Sequence, residues 1–359
     1  MKHHLWIEKN LWNNLLEKTK ERYAKEQKFL TIKEMAELVK GTELYSQSAQ
    51  SVFRNLDKSL KAKVRAKKKG MKWGFPRFKS FDRIKSIFYP QSGFSLDKKL
   101  KVTPFGEISI KKHREIKGVI RTLTIKREST GKWFASFCVQ QENEIPKINS
   151  GKRVGIDLGL KTFATLSDEK VIQNPRHLKQ YEEKLAGCQR ILSKKKKGSK
   201  NRYRAKKRVA LLHEKISSTR KDFLHKLSHK FVNDYSVIAL EKLASKEMSE
   251  EKFGKQINDA GWNTFANMLV YKAESAGCQV VFVNPRDTTK ECSACGSVQD
   301  MPLSERTYLC PECGMVKDRD LNASLNILNS ATVGMTACNA SGDVAEATSE
   351  KEEANHRLL

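Results

Sequence analysis

The stretch RVGIDLGLKTFATLSD, residues 153–168, decides the fold. Two short apolar runs flank Gly159, and this pattern predicts two strands joined by a tight turn. Asp157 lies near the end of the first run, inside an otherwise apolar strand. A carboxylate in that position costs free energy unless it is paired or binds a cation. Asp157 is therefore the first candidate functional residue.

The segments that follow alternate between strand-like and helical patterns. Short apolar runs bounded by turn residues predict buried strands, and apolar residues spaced one helical turn apart predict amphipathic helices. In chain order they are a strand at 171–175, a helical hairpin at about 176–233, a strand at 236–243, a helix at 260–277, a strand at 278–285 and a short helix from about Leu321. This is the element order of a ribonuclease-H-like α/β domain.

The N-terminal part of the chain has two other patterns. Apolar residues recur near helical spacing over residues 5–69, and short alternating runs over 83–142 predict a small antiparallel barrel or sandwich. The helical positions are Leu5, Trp12, Leu15, Leu16, Val52, Leu56 and Leu60. We predict a multidomain α+β protein with a helical segment (1–80), a small antiparallel β-barrel (81–148), an α/β domain (149–330) and a disordered tail (331–359). A linker at 143–153 should lead into the α/β domain.

The chain is strongly basic. It has 69 Lys and Arg against 41 Asp and Glu, a formal net charge of +28. Such proteins mostly bind nucleic acid, because neutralising phosphates releases counterions, and an anionic membrane surface is the less favoured partner. No apolar run reaches the ~18 residues of a membrane-spanning helix, and the N-terminus lacks the apolar core of a signal peptide. We therefore expect no membrane partner and a cytoplasmic location.

Two segments carry much of the positive charge. Residues 57–81 contain ten Lys or Arg and one acid, and residues 194–208 contain ten and no acid. A solvated helix face usually carries both signs, so these segments are predicted to contact nucleic acid. The candidate residues are Lys67, Lys68, Lys69, Lys72, Arg77, Lys194, Lys195, Lys196, Lys197, Arg202 and Arg204. Aromatic residues beside the first segment either stack on bases or pack in the core. They are Trp73, Phe75, Phe78 and Phe81.

Four cysteines have the spacing of a metal site. Cys292, Cys295, Cys310 and Cys313 form a C-x2-C-x14-C-x2-C pattern. A glycine follows each pair and lets the backbone turn under the sulfurs. Four thiolates suit tetrahedral zinc and leave no open coordination position, so this zinc should be structural.

Three acids in different contexts predict a second metal site. Asp157 and Glu241 both end buried strands, and Asp320 begins the last helix. Carboxylates that converge at neighbouring strand ends form a hard oxygen site for Mg²⁺ or Mn²⁺, which can cleave phosphodiesters. Each acid also has a structural alternative. Asp157 could bind its own turn, Glu241 could pair with a lysine, and Asp320 could cap its helix. Asp318 is a rival for the third position.

These residues also carry a resemblance to a known family. The segments GIDLGLKTFATLSD (155–168), VIALEKL (237–243), INDAGWNTFANMLVYKAESAGCQVVFVNP (257–285) and DRDLNASLNIL (318–328), with the cysteine pairs, are highly specific. Over roughly residues 10–330 the chain resembles the TnpB/OrfB proteins of insertion sequences, which are similar to type V CRISPR effectors.

The resemblance implies an RNA-guided DNA endonuclease with a RuvC-type domain containing a zinc ribbon at 287–318. It implies that Asp157, Glu241 and Asp320 are catalytic and bind Mg²⁺ or Mn²⁺. The guide RNA would come from the transposon end, and target DNA would be the second partner. The helical segment would be recognition-like and the small barrel wedge-like. Family members usually begin with a strand of that barrel, whereas this sequence opens in the helical segment, so we expect target-motif reading to be affected.

Two other functions compete with this interpretation. An RNA-guided repressor, or a truncated member that does not cut, would bind DNA through the same basic segments, but all three acids are present here. A transposase that joins DNA ends would need a tyrosine nucleophile beside a metal-binding histidine pair. His3 and His4 are adjacent near the terminus and the other histidines are dispersed, so direct strand transfer is disfavoured.

Overall fold

The predicted change from helices to short strands to an α/β pattern is present in the structure. The computed structural model describes residues 1–81, 83–141, 151–243, 248, 253–302 and 304–340, with only the backbone of 333–340. The chain divides into two compact units, Met1–Asn143 and Glu144–Leu359. The predicted linker at 143–153 contains this boundary, although its residues 143–150 lie outside the described part. Across the described residues, no helix combines the length and apolar character needed to cross a membrane.

The first unit begins with three helices. They are α1 (Lys2–Glu26), α2 (Ile32–Leu38) and α3 (Ser46–Lys68). The seven apolar residues predicted at helical spacing are all buried, which confirms the amphipathic pattern. Helix α2 starts at a capping box, in which the Thr31 hydroxyl accepts a hydrogen bond from Glu34 N and Glu34 accepts one from Thr31 N. This box satisfies two backbone donors at the start of α2. The apolar pattern did not indicate that a new helix begins there.

Six short strands follow in the same unit. They are β1 (Ser86–Tyr89), β2 (Phe94–Leu96), β3 (Leu100–Val102), β4 (Gly106–Ile108), β5 (Val119–Arg127) and β6 (Trp133–Gln140). The described strands form two antiparallel three-stranded sheets, β1-β5-β6 and β2-β3-β4, where a small antiparallel barrel or sandwich was predicted. Strand β3 pairs with both β2 and β4, and no described strand joins this sheet to the sheet β1-β5-β6. Both sheets contribute to one core, which is closer to the sandwich alternative.

The predicted boundary at residue 80 does not separate two domains. Leu5 of α1 is buried in the core between the two sheets. The Trp12 indole donates to the Arg77 carbonyl at 3.3 Å, and the Ser48 hydroxyl donates to the Phe88 carbonyl at 2.9 Å. The helices and the sheets therefore fold as one unit.

The second unit has the predicted order of strands and helices. Its elements are β7 (Lys152–Leu158), β8 (Thr162–Leu166), β9 (Val171–Gln173), α4 (His177–Ser193), α5 (Lys200–Asp234), β10 (Tyr235–Glu241), α6 (Gly254–Ala260), α7 (Trp262–Ala276), β11 (Gln279–Val283), β12 (Thr307–Leu309), β13 (Val316–Asp318) and α8 (Arg319–Ala340). Helix α8 continues to Ala340, past the predicted start of a disordered tail at 331. Residues 333–340 are mostly small or polar, and the apolar periodicity on which the prediction relied is weak there. Residues 341–359 lie outside the described part.

A five-stranded sheet organises this unit. Its order is β11-β10-β7-β8-β9, with β11, β10 and β7 parallel and β8 and β9 antiparallel to their neighbours. The core on one face contains residues of α5 and α7, including Leu224, Phe231 and Phe265. Ile327 and Ala331 of α8 pack on the other face. This arrangement brings the carboxyl ends of β7 and β10 side by side, near the start of α8.

Gly155 allows α8 to lie directly on β7. A Cβ atom at this position would be 2.1 Å from the Ser324 carbonyl oxygen and 2.7 Å from the Leu328 nitrogen. Because both atoms are helix backbone, neither can rotate away, and the helix would have to move as a body. The absent side chain thus sets the distance between the strand that carries Asp157 and the helix that carries Asp320.

Replacing Gly155 by alanine should therefore destabilise the second unit. Overpacking costs typically ~1–3 kcal/mol, which lowers the melting temperature of a unit this size by roughly 3–10 °C. The same substitution at Gly187, a helix position in α4 with no atom within 4 Å of the added Cβ, provides a control. There, alanine should be neutral or stabilising, because it lowers the entropy lost on folding. Thermal unfolding followed by circular dichroism compares the two, and equal melting temperatures would contradict the close-packing argument.

Candidate functional site

Asp157 lies on β7 at the edge where that strand ends. The pairing of Ile156 with Leu240 places Asp157 beside Glu241 on the neighbouring parallel strand. Burial raises the pKa of Asp157 to about 7, with further contributions from the charges of Glu241 and Asp320. Among the described residues, a hydrogen bond from the Gly159 nitrogen to the Phe163 carbonyl at 3.2 Å closes the turn at Gly159. The Asp157 carboxylate does not close that turn, so its structural alternative is not supported.

Glu241 is the last residue of β10 and is partly buried. Burial raises its pKa, and a hydrogen bond donated by the Thr288 hydroxyl opposes that shift. Within the described part of the chain its partner is this hydroxyl rather than a lysine. The alternative of a Glu241–lysine pair is therefore not what the structure contains.

Asp318 and Asp320 have different roles at the start of α8. The Asp318 carboxylate accepts hydrogen bonds from the backbone nitrogens of Asp320 at 2.9 Å and Leu321 at 3.1 Å. These are the contacts of an N-cap, which supplies acceptors for the unpaired first donors of a helix. Asp318 thus occupies the capping role that had been an alternative for Asp320. The carboxylates of Asp320 and Asp318 both contribute to raising the pKa of Asp157.

Two arginines lie close to Asp320. The Arg306 guanidinium is 3.5 Å from both carboxylate oxygens, and the Arg319 guanidinium is 3.5 Å from one of them. Arg319 is buried, and it also donates to the Pro302 carbonyl at 3.3 Å. These cations offset part of the negative charge at the sheet edge. Neither arginine was among the predicted site residues: Arg306 is 14 positions from Asp320 in the chain, and Arg319, although adjacent to Asp320, had no predicted role.

The three acids share one edge of the sheet without forming a tight cluster. Among the described residues, the four cysteines are the group of potential metal ligands whose atoms all lie within 4.8 Å of one another. The acids are close enough to raise the pKa of Asp157. A looser arrangement is compatible with a site that holds two divalent ions about 3.5–4 Å apart, because each carboxylate need not touch both ions. Carboxylate oxygens are hard, negatively charged ligands, which Mg²⁺ and Mn²⁺ prefer.

The cysteine cluster has the geometry of a structural metal site. The Sγ atoms of Cys292 and Cys313 are 3.7 Å apart, and those of Cys295 and Cys310 are 3.6 Å apart. A tetrahedral zinc ion with bonds of about 2.3 Å requires sulfur separations of about 3.8 Å, so the thiolates fit zinc. Cys292 and Cys310 are buried.

The backbone around the cysteines also has the form of two metal-binding turns. Gly296 and Gly314 adopt φ angles of 78° and 69°, the left-handed region that favours glycine. Their nitrogens donate to the carbonyls of Cys292 at 2.9 Å and Cys310 at 3.0 Å. The second turn lies between β12 and β13, which pair as an antiparallel ribbon directly before α8. This connects the cysteine cluster to the helix that begins with Asp320.

Two asparagines of α8 join the first cysteine turn to the helix. The Asn322 side chain accepts a hydrogen bond from Ser293 N at 2.9 Å and donates to the Glu291 carbonyl at 2.7 Å. Asn326 donates to the carbonyls of Thr288 at 2.9 Å and Glu291 at 2.7 Å. Both side chains are buried. These residues were not predicted, because buried asparagines in a helix are informative only when their distant partners are known.

The predicted nucleic-acid contacts are mostly exposed lysines and arginines. In the first segment Lys67, Lys68, Lys69, Lys72 and Arg77 are all exposed. In the second, Lys194 to Lys197 and Arg204 are exposed around the turn between α4 and α5, as predicted at Gly198. Arg202 differs, because its guanidinium donates to the carbonyls of Leu192 at 2.9 Å and Lys195 at 3.0 Å. It closes the end of α4.

The four aromatic residues of the first basic segment divide into two pairs. Trp73 is 46% exposed and Phe78 is 47% exposed. Phe75 packs against the helical core, and Phe81 packs against the core of the small sheets. A ring must be exposed to stack on a base, so Trp73 and Phe78 remain candidates for stacking.

Comparison with known proteins places this chain among insertion-sequence proteins. Residues 136–252 match the family OrfB_IS605, described as "Probable transposase", and residues 262–327 match the "Cas12f1-like, TNB domain" family. A candidate RNA-guided DNA endonuclease of Streptomyces pristinaespiralis is 37% identical over 220 residues, 60% of this chain and 54% of that protein. The candidate RNA-guided DNA endonuclease InsQ of Escherichia coli is 30% identical over 303 residues, 79% of this chain and 74% of InsQ. The chain thus spans about half of one relative and three quarters of the other.

A solved structure has a similar fold. The Cas12f1 chain of a cryo-EM complex with guide RNA and target DNA matches 91% of this chain and 82% of its own, with a TM-score of 0.53 and 17% identity. At that identity the likeness shows a mixed α/β multidomain fold and no more. The family assignment rests on the relatives that match by sequence. Because a relative 30% identical is matched over most of its length, the chain belongs to the TnpB/OrfB family of insertion-sequence proteins.

Proposed function

We propose that this chain is an RNA-guided DNA endonuclease, of the kind named in its relatives. The observation that carries the proposal is that Asp157 and Glu241 lie side by side at the ends of two parallel strands, with the start of α8, which carries Asp320, near the same edge of the sheet. They come from three separate segments of the chain, two parallel strands and a helix start. The strand order and these acids favour a RuvC-type domain, in which all three side chains are catalytic. Because this chain spans only part of the length of its relatives, the activity of the whole protein is itself part of the proposal.

The chain's own residues would assemble the catalytic centre. Asp157, Glu241 and Asp320 would hold the divalent ions, Mg²⁺ or Mn²⁺. Bound ions would supply activation of the attacking water and stabilisation of the leaving oxygen of the phosphodiester. Asp318 caps α8 and so fixes where Asp320 begins its helix. Arg306 and Arg319 lie where they can limit the repulsion between the acids.

The cysteine cluster would act in support of this centre. Cys292, Cys295, Cys310 and Cys313 would bind one structural zinc ion, and zinc binding would contribute folding free energy to the segment before α8. The zinc ribbon would thus anchor the chain on the approach to Asp320.

A guide RNA is the partner that best fits the basic segments. A guide–target heteroduplex is recognised through its backbone, while base pairing supplies the sequence. The exposed lysines around Gly198 and near Lys67 would neutralise phosphates, and the exposed rings of Trp73 and Phe78 would stack on bases. In this proposal the RNA comes from the transposon end and the second partner is target DNA.

The guide can be tested by expressing the protein with its native flanking DNA and sequencing the RNA that co-purifies. A discrete RNA should be bound, and replacing its guide segment should redirect binding to a DNA that matches the new guide. Gel-shift assays with both DNAs measure the change. Binding without cleavage in Mg²⁺ would favour the repressor alternative, and the absence of any discrete RNA would contradict RNA guidance.

Charge at the hairpin turn should govern the salt dependence of RNA binding. Changing Lys194, Lys195, Lys196 and Lys197 to glutamine removes up to four phosphate contacts. The slope of log affinity against log salt should become shallower by up to ~0.7–0.9 per contact. Changing the same four residues to arginine keeps the charge and serves as the control. Filter binding from low to moderate salt measures both slopes, and an unchanged slope in the glutamine variant would exclude the turn from the RNA interface.

A further inference from the structure

The Thr288 hydroxyl contacts the carboxylate of Glu241, one of the three acids. Thr288 is buried, with 4% of its surface exposed, in the loop between β11 and the first cysteine turn. Its Oγ1 donates a hydrogen bond to Oε1 of Glu241. The Pro285 carbonyl oxygen lies 3.3 Å from the Thr288 Oγ1 and is a second possible acceptor. A hydroxyl has one proton, so it can be donated to only one of these acceptors at a time. Of these two hydrogen bonds, the one to the Glu241 carboxylate is the shorter. It is also the stronger kind, because its acceptor is charged.

The backbone of Thr288 is held by the helix that carries Asp320. The Asn326 side chain donates to the Thr288 carbonyl at 2.9 Å and to the Glu291 carbonyl at 2.7 Å. Asn322 binds the next part of the loop through Glu291 and Ser293, immediately before and after Cys292. A continuous set of hydrogen bonds therefore runs from α8 through the loop to the Glu241 carboxylate. Buried side chains with their partners satisfied hold such an arrangement rigidly.

We propose that Thr288 is a positioning residue for Glu241, and that the loop it occupies transmits the placement of α8 to β10. Thr288 orients the carboxylate by donating to one oxygen, which leaves the other oxygen to face the site. Asn326 fixes the loop, so Glu241 and Asp320 keep a constant relative position. This inference rests on the proposed function, since it gives Glu241 a metal-binding task. The neighbouring Thr289 is less buried than Thr288.

Thr288→Val tests the hydroxyl, because valine has nearly the same shape and cannot donate a proton. Loss of a residue that orients a metal ligand typically costs about 10–100-fold in metal affinity or activity. Thr288→Val should therefore reduce matched DNA cleavage by about that factor and raise the Mg²⁺ concentration at half-maximal rate. Thr288→Ser retains the hydroxyl and should restore cleavage to within about threefold of the native rate. A valine variant with native rate and native Mg²⁺ dependence would overturn the proposal.

Metal binding gives a second measurement that does not depend on cutting. Isothermal titration of Mn²⁺ into the full-length, zinc-loaded chain should show weaker binding for Thr288→Val and near-native binding for Thr288→Ser. In a Glu241→Gln background, Thr288→Val should weaken Mn²⁺ binding no further, because the hydroxyl acts through Glu241. Equal losses in both backgrounds would overturn the proposal and point to a structural role in the loop. If the native protein binds Mn²⁺ but cuts no DNA, the proposed function fails and this titration still decides the role of Thr288.

Discussion

Asp157→Asn should reduce cleavage of guide-matched DNA by at least about 10³-fold, since a divalent-ion site supplies several kcal/mol and each ~1.4 kcal/mol is a tenfold change in rate. Burial raises the pKa of Asp157 to about 7, and the negative charges of Glu241 and Asp320 contribute to this shift. Asparagine has nearly the same shape, so the strand and its neighbours should be undisturbed. Removing a buried negative charge beside two others relieves repulsion. The melting temperature should therefore be equal or higher while cleavage is lost.

Asp318→Asn is the matched control for this substitution. Asparagine caps helices about as well as aspartate, so the hydrogen bonds to the Asp320 and Leu321 nitrogens should persist. Only one charge is removed, close to but outside the three proposed ligands, and cleavage should fall by no more than a few-fold. Asp320→Asn should behave like Asp157→Asn. Single-turnover cleavage, with RNA and DNA binding measured separately, compares the three variants. A severe loss in Asp318→Asn with little loss in Asp320→Asn would mean that the third ligand has been assigned to the wrong aspartate.

Loss of the zinc site should have the second large effect. Cys310→Ser removes a buried thiolate from a cluster whose sulfurs lie 3.6–3.7 Å from their partners. Apparent zinc-binding free energies in small zinc domains are about 10–16 kcal/mol, and this energy folds the segment around the ion. The variant should lose the zinc and the order of the loop before α8. Because that loop contacts α8 through Asn322 and Asn326, cleavage should be lost as well.

Cys138→Ser provides the control for the zinc prediction. Cys138 is an exposed residue of β6, in the other compact unit. Elemental analysis should find about one zinc ion per chain in the native protein and in Cys138→Ser, and much less in Cys310→Ser. A Cys310→Ser protein that retains a full zinc ion and native cleavage would contradict the structural role assigned to the cluster.

Much of the second unit could be predicted from local sequence. The strands that carry Asp157 and Glu241 are mostly apolar near these acids, which is typical of strands buried on both faces. The helix at 260–277 is the α7 of the structure, and its Trp262, Phe265 and Leu269 are buried as their spacing indicated. The cysteine pattern predicted a cluster because ligand spacing is itself local. In each case the residues that carry the signal are close together in the chain.

What could not be predicted depends on contacts between distant segments. Which aspartate caps α8 depends on how the chain enters that helix, and both Asp318 and Asp320 fit the role on sequence alone. Thr288 reaches Glu241 across 47 positions, and nothing in TTKEC indicates which threonine faces the site. The choice between a barrel and a sandwich for β1–β6 could not be predicted, because strand partners are selected by registry across the fold, which local alternation does not specify.

The central claim is that this chain cuts DNA chosen by a bound RNA at a centre containing Asp157. The most direct measurement is cleavage by the RNA-bound protein of two plasmids in one tube, one carrying the guide-matched sequence and one carrying a scrambled sequence. In Mg²⁺ the native complex should cut only the matched plasmid, and either EDTA or Asp157→Asn should prevent the cut. Equal cutting of both plasmids, or undiminished cutting by Asp157→Asn, would contradict the account.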